Sequence, residues 1–249
     1  MKLFQSLFFA ALIAGLVAGA GMSIVQQWRV APLILEAEVY EDSEAAAAEA
    51  QPAADHAAMP AHEHEHEHGA DEWKPDNGFQ RIGLTVLADL LAALGFAFIL
   101  GAASVLTGIP VTAQNGILWG LSGFLVFQLA PAFGLPPELP GMPAADLVAR
   151  QIWWWGCALA TATAIFGVAK FRNWPAVAIA VVLVALPFLI GAPAQPDEAS
   201  SVPAHLATSF AANALGTGAI FWLALGPLYG WLIERFERGT VRNSRLVSA

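Results

Sequence analysis

Long apolar runs alternate with short polar connections along most of this chain. A helix that crosses a membrane needs about 20 mostly apolar residues, and six runs approach that length. The fifth run is short and contains Pro187, and the sixth is long and carries Gly226-Pro227, which predicts an interruption there. The six predicted helices cover residues 3–25, 82–106, 116–133, 152–168, 175–190 and 206–233.

Composition excludes an ordinary soluble domain. Hydrophobic residues make up 57% of the chain and charged residues only 12%, whereas soluble domains carry about 25% charged residues. The sequence has no basic stripe interleaved with aromatic residues, which argues against nucleic acid as a partner. It also has no Walker A motif and no nucleophile–base constellation, which argues against an enzyme. The pattern predicts an all-α, polytopic bundle of about six transmembrane helices in the lipid bilayer.

Basic residues predict the orientation of these helices. With Lys2 in the cytoplasm, six crossings place seven basic residues in cytoplasmic segments and four outside, in agreement with the positive-inside rule. The acidic connections at 36–76, 138–146 and 197–198 then lie outside, and both termini are cytoplasmic. The cytoplasmic set is Lys2, Lys170, Arg172, Arg235, Arg238, Arg242 and Arg245, and the outer set is Arg29, Lys74, Arg81 and Arg150.

Four segments follow from this pattern. They are a first transmembrane helix (1–29), an external acidic loop rich in histidine (30–81), a bundle of about five helices (82–233) and a cytoplasmic basic tail (234–249). An alternative concerns the first segment, because Lys2, a short apolar stretch and Ala18-Gly19-Ala20 also fit a cleaved signal peptide. Cleavage would leave five helices in the same orientation.

The external loop carries the clearest chemical signal. His62, His64, His66 and His68 alternate with glutamates, and His56 lies nearby. Alternation places the histidines on one face of an extended strand, and imidazole suits first-row transition metals. The alternative is a solvated polar spacer. Residues 41–69 have no apolar period with which to build a core, so this segment is predicted to be disordered.

Polar side chains inside the predicted helices are the next candidates. Asp89, Gln128 and Asn213 all fall about 9 to 12 Å below the outer ends of their helices, at a rise of 1.5 Å per residue. Thr161 and Thr163 lie somewhat deeper on the fourth predicted helix. Intramembrane charges usually face a cavity or a partner, so these residues predict a polar site open to the outside. The alternative is hydrogen bonding between helices.

Small residues and the single cysteine favour packing over chemistry. Glycines four residues apart permit close approach of membrane helices, and Cys157 lies in an apolar run, which is typical of a small buried hydrophobe. With one cysteine, no disulfide can form within the chain. The glycine pairs are Gly15 with Gly19, Gly116 with Gly120, and Gly226 with Gly230.

Several motifs resemble the CbtA family, whose members are predicted cobalt transporter subunits of bacteria. The most specific are NGILWGLSGF at 115–124 and LAPAFGLPPELPG at 129–141. Shorter matches are GLVAG at 15–19, PLILEAE at 32–38, RQIWW at 150–154 and VPAHL at 202–206. The resemblance covers nearly the whole chain outside the histidine-rich insert.

The resemblance implies cobalt uptake linked to cobalamin synthesis across the bacterial inner (plasma) membrane. It also implies a small single-helix partner subunit, CbtB. Nickel or another divalent transition metal is the alternative cargo, and self-association into a homo-oligomer is compatible with the glycine pairs. No catalytic cofactor is expected.

These expectations combine into one transport hypothesis. The His/Glu tract gathers the ion outside, Glu36, Glu38 and Glu138 pass it inward, and Asp89, Gln128 and Asn213 form the first site within the membrane. Thr161 and His205 complete the predicted pathway. The rival hypothesis is a membrane metal sensor or assembly factor that does not transport. A membrane hydrolase is a third reading, but it needs a fixed open coordination site, to which a repetitive tract is poorly suited.

Overall fold

In the computed structural model, residues 2–49, 75–197 and 200–247 are described, and their regular structure is entirely helical. This confirms the predicted all-α class. A helix occupies each of the six predicted runs, and one further helix follows the first. The seven helices among the described residues are α1 (Lys2–Arg29), α2 (Ala31–Glu49), α3 (Phe79–Thr107), α4 (Gly116–Ala132), α5 (Leu147–Phe171), α6 (Trp174–Ile190) and α7 (Ala204–Val247).

Four of these helices, α1, α3, α5 and α7, are long and apolar enough to cross a membrane. The helices α4 and α6 are apolar but shorter, and α6 has 17 residues. At 1.5 Å per residue, 17 residues extend about 26 Å, close to the lower limit for a span. The chain is therefore a multi-pass membrane protein with four candidate spans, and six crossings remain a prediction.

Helix α2 corrects the prediction of disorder for residues 41–69, because residues 41–49 are helical. Its alanine- and glutamate-rich second half has high helix propensity. Its first half is held by packing, since Leu33, Ile34 and Tyr40 lie against a cluster that includes Leu139 and Leu206. The tract histidines His56, His62, His64, His66 and His68 lie outside the described residues.

Helix α7 corrects a second expectation, because Gly226-Pro227 does not interrupt it. Proline removes one backbone donor and often kinks a helix, but here the neighbouring glycine is packed tightly on α4, which holds the turn in place. The helix also continues to Val247, so most of the predicted basic tail is helical.

Close backbone contacts hold the centre of the bundle together. Helix α1 packs along α3 and α7, α4 packs along α7, and α5 pairs with α6. A Cβ atom built at Gly120 or Gly226 would overlap the backbone of the facing helix, and one built at Gly19 would lie 2.6 Å from the Cβ of Ala93. The glycines of the three predicted pairs therefore make close packing contacts with other segments of the same chain. Cys157 is fully buried, as expected.

The described polar connections gather at one end of the bundle, which we call the acidic end: residues 30–49, 75–81, 134–146, 191–197 and 200–203. The backbone of Gly141 lies against Glu41, and Ser200 donates a hydrogen bond to the Gly141 carbonyl (3.4 Å). At the opposite end, the Ala113 amide donates to Glu234 on α7 (2.9 Å). The described parts of the three acidic connections therefore lie at the same end, and the side of the membrane on which this end lies stays a prediction.

Candidate functional site

Two cavities lie near the acidic end of the bundle. One, of about 420 Å³, is bordered by α4, α5, α7 and the loop after α4, and includes Glu138 and Arg150 in its wall. The other, of about 240 Å³, is more enclosed and lies between α1, α3, α4 and α7, with Gln26 and Thr217 in its wall. We call them the open cavity and the enclosed cavity. Gln128 lines both.

Gln128 owes its position to a local irregularity in α4. Residues Leu125–Leu129 form a π-helical turn, a feature that often marks functional sites. The side-chain amide packs directly over Gly218 of α7, where any Cβ atom would overlap it. Its Oε1 atom is buried and accepts no hydrogen bond from the described residues. A buried amide oxygen without a donor is a natural ligand for a cation or a water molecule.

Aromatic packing fixes the π-helical turn against α7. The Phe127 ring stacks on Trp222 with centroids 5.7 Å apart and an interplanar angle of 3°. Phe127 also lies 6.3 Å from Trp154 of α5. This cluster holds the backbone beside Gln128, so the amide is presented from a rigid segment.

Asp89 is buried beside α1 and lies behind the wall of the enclosed cavity. Its Oδ2 atom accepts a 2.8 Å hydrogen bond from the Ser23 hydroxyl of α1. Gln26, one turn after Ser23 on α1, lines the enclosed cavity. Asp89 itself lines neither cavity.

Asn213 holds two helices together and does not line either cavity. Its Oδ1 atom accepts from Arg29 Nε (3.2 Å), and its Nδ2 atom donates to the Ser209 carbonyl (2.8 Å). Of the three residues predicted at one membrane level, the structure places Gln128 on the cavity wall, Asp89 one helical turn before the cavity-lining Ala92 and Ala93, and Asn213 in an α1–α7 contact.

Two of the three predicted carboxylates are already paired with arginines. Glu138 accepts from Arg150 (2.7 Å) and from Gln195 (2.7 Å), and it sits at the open cavity. Glu38 forms an ion pair with Arg81. Glu36 is exposed on α2. A cation that binds Glu38 or Glu138 must therefore compete with a guanidinium group.

The remaining predicted pathway residues lie away from the cavities. Thr161 is buried but donates to the carbonyl of Cys157 on its own helix (2.8 Å), and Thr163 does the same with Leu159 (2.7 Å). His205 is exposed at the start of α7. Within residues 2–49, 75–197 and 200–247, no three His, Cys, Asp or Glu side chains lie close enough to hold a metal ion.

Sequence reasoning missed Gln26, Ser23, Thr217 and Gly218. The first predicted helix stopped at residue 25, which made Gln26 a flanking residue, whereas α1 runs to Arg29. The signal was present, because Met22, Gln26 and Val30 recur every four residues and all three line the enclosed cavity. No sequence pattern predicts the π-helical turn at Leu125–Leu129.

Comparison with known proteins identifies one family. A family described as "Probable cobalt transporter subunit (CbtA)" matches residues 4–234. Searches of the curated proteins and of the solved structures gave no match.

Proposed function

The chain belongs to the CbtA family of probable cobalt transporter subunits, and we propose that it is the membrane subunit that carries a divalent transition metal ion, cobalt, into the cell. The observation that supports this most is the position of Gln128 between the two cavities, with an unpartnered carbonyl oxygen among the described residues. A cavity that offers only a few oxygen ligands suits a cation that keeps part of its hydration shell.

The proposed route begins outside the membrane. The His/Glu tract gathers the ion, and Glu36, Glu38 and Glu138 pass it to the open cavity. Gln128 then separates this cavity from the enclosed cavity, which Gln26 lines and behind whose wall Asp89 lies. In this scheme Arg150 is displaced from Glu138 as the ion arrives, because one carboxylate cannot fully satisfy both cations.

The second proposal is a membrane metal sensor or assembly factor that binds metal without moving it. The ion pairs Glu38–Arg81 and Glu138–Arg150 favour this alternative, because they neutralise two carboxylates that a transported cation would use. Cobalt accumulation inside cells that express the chain, with and without a single-helix partner subunit, separates the two functions. A sensor binds cobalt that an external chelator removes, whereas a transporter delivers cobalt that the chelator cannot reach.

Orientation gives one prediction. We expect both termini in the cytoplasm and the acidic end outside, as the distribution of Lys and Arg indicates. Cysteine substitutions at Ser43 on α2 and Ser244 near the end of α7 test this with a membrane-impermeant thiol reagent. Position 43 should be labelled in intact cells and position 244 only after permeabilisation. The single native cysteine is buried, so it contributes little background. The opposite labelling pattern would reverse the topology.

The histidine tract gives another prediction. Replacing His62, His64, His66 and His68 with Ala should lower cobalt uptake several-fold at low metal concentration and much less at saturation. The reason is that the tract raises the local ion concentration without taking part in translocation. Because imidazole binds metal only when neutral, its contribution should fall as the pH drops through about 6.5. Uptake measured against cobalt concentration at two pH values checks both points. An equal loss at saturating metal would place the tract in the translocation step.

A further inference from the structure

We propose that Trp222 is the inner barrier of the transport path. Its ring closes the enclosed cavity on the side away from the acidic end, and its movement lets the ion continue along α7 past Tyr229. This inference rests on the proposed transport function and adds the step that follows the enclosed cavity. The barrier is built from residues of α3, α4 and α7.

The side of the enclosed cavity that faces away from the acidic end is aromatic. Phe96 and Phe221 are the cavity-lining residues furthest from the acidic end on α3 and α7. The Trp222 ring centroid lies 5.1 Å from that of Phe96 and 5.4 Å from that of Phe221. The same ring stacks on Phe127 of α4. One side chain, which is only 1% exposed, therefore joins three helices and leaves no passage for a hydrated ion.

Two buried polar groups continue from this barrier along α7. Trp222 Nε1 and the Tyr229 hydroxyl group have no hydrogen-bond partner among the described residues, and Tyr229 is fully buried. A buried polar group without a partner costs about 1–3 kcal/mol, whereas Phe packs with similar bulk at no such cost. Seven residues separate the two side chains, which places them on one face of α7, about 10 Å apart along its axis. Both polar groups are accounted for when water reaches them in an open state of the path.

The seam between α3 and α7 is the direction in which the path can open. Helix α4 closes the other side of α7 by backbone contact at Gly120 and Gly226, where no side chain can move aside. Gly101 of α3, by contrast, meets the Tyr229 side chain, whose hydroxyl oxygen would lie 2.5 Å from a Cβ atom built there. A ring that packs on a glycine can move by side-chain rotation alone. We therefore assign the path beyond Trp222 to the α3–α7 seam.

Thiol labelling tests the barrier without cobalt. The probe site is Thr217→Cys, which lines the enclosed cavity, in membrane vesicles that contain the full-length chain. A small, impermeant cationic methanethiosulfonate reagent, supplied on the side from which position 244 is labelled, should react slowly. Trp222→Ala should speed this reaction at least about tenfold, equivalent to a barrier about 1.4 kcal/mol lower. The matched control is Trp231→Ala on the same helix, whose ring is 47% exposed; it should leave the rate unchanged.

A second variant reaches the same ring from α4. A Cβ atom at Gly123 would overlap the Trp222 ring. Gly123→Ala should therefore displace the ring and speed the labelling of Thr217→Cys in the same direction, by a smaller factor. Its matched control is Gly156→Ala, because a Cβ atom there meets nothing within 4 Å. This pair keeps the test decisive when Trp222→Ala does not fold.

The outcomes separate the barrier from the transport function. Faster labelling in Trp222→Ala or Gly123→Ala, with both controls unchanged, supports the barrier. Labelling at the wild-type rate in every folded variant of the pair overturns it, and cobalt accumulation by wild-type cells then still supports transport. If wild-type cells accumulate no cobalt, the transport function fails and the proposed path fails with it.

Discussion

Replacing Asp89 with Asn should reduce cobalt uptake at least about tenfold, even at saturating metal, while the protein still folds and inserts. The amide is nearly isosteric with the carboxyl group and can still accept the hydrogen bond from Ser23. A charge at this depth is expensive unless it is paired, so loss of the charge does not threaten the fold. Asn cannot ionise, however, so it offers no negative charge to balance an arriving cation.

Uptake of Asp89→Asn, normalised to the amount of inserted protein, measures this effect. Asp42→Asn is the matched control, because it makes the same change on the exposed surface of α2 and should leave uptake unaltered. If Asp89 serves only to join α1 to α3, Asn fulfils that role as well and transport continues. Near wild-type uptake by Asp89→Asn would therefore remove Asp89 from the transport mechanism.

The largest effect on stability should come from Gly226→Ala. A Cβ atom at Gly226 would overlap the Gly116 carbonyl oxygen, and a Cβ atom at Gly116 would in turn lie 2.6 Å from the Gly226 carbonyl. Both neighbours are backbone, so no side chain can move aside, and the two helices must separate. Overpacking of this kind costs about 1–3 kcal/mol, which lowers the Tm of a protein this size by roughly 2 to 12 °C.

Thermal unfolding in detergent, followed by size-exclusion recovery, measures this loss. Gly156→Ala is the control, because a Cβ atom at Gly156 meets nothing within 4 Å and Ala is the better helix former. It should unfold at the wild-type temperature or slightly above. Equal stability of the two variants would mean that α4 and α7 are not in backbone contact through Gly116 and Gly226.

Hydropathy was enough to locate the six apolar helices, because burial in lipid demands long apolar runs and leaves little room for alternatives. Composition led to a wrong prediction of disorder for residues 41–49 of α2. A run of Ala and Glu is typical of disordered segments, but it also has high helix propensity. Packing of Leu33 and Ile34 against loops that are distant in the sequence stabilises this helix. That contact involves residues more than 100 positions away, which local pattern cannot show.

The candidate site was only partly predictable for the same reason. The polarity of Asp89 and Gln128 within apolar runs was visible in the sequence, and both proved to lie at or beside the enclosed cavity. The partners of Glu38, Glu138 and Asn213 were not visible, because each is an arginine whose side-chain direction depends on how the helices pack. The role of Gln26 depended on where α1 ends, and helix ends are the weakest part of any pattern-based prediction.

The central claim is that this chain moves cobalt across the membrane. Accumulation of radiolabelled cobalt by intact cells, after an external chelator has stripped bound metal, tests it directly. Cells expressing the chain together with the proposed single-helix partner should show saturable accumulation that Asp89→Asn abolishes. If all the cell-associated cobalt is removed by the chelator, the chain binds metal without transporting it, and the account is contradicted.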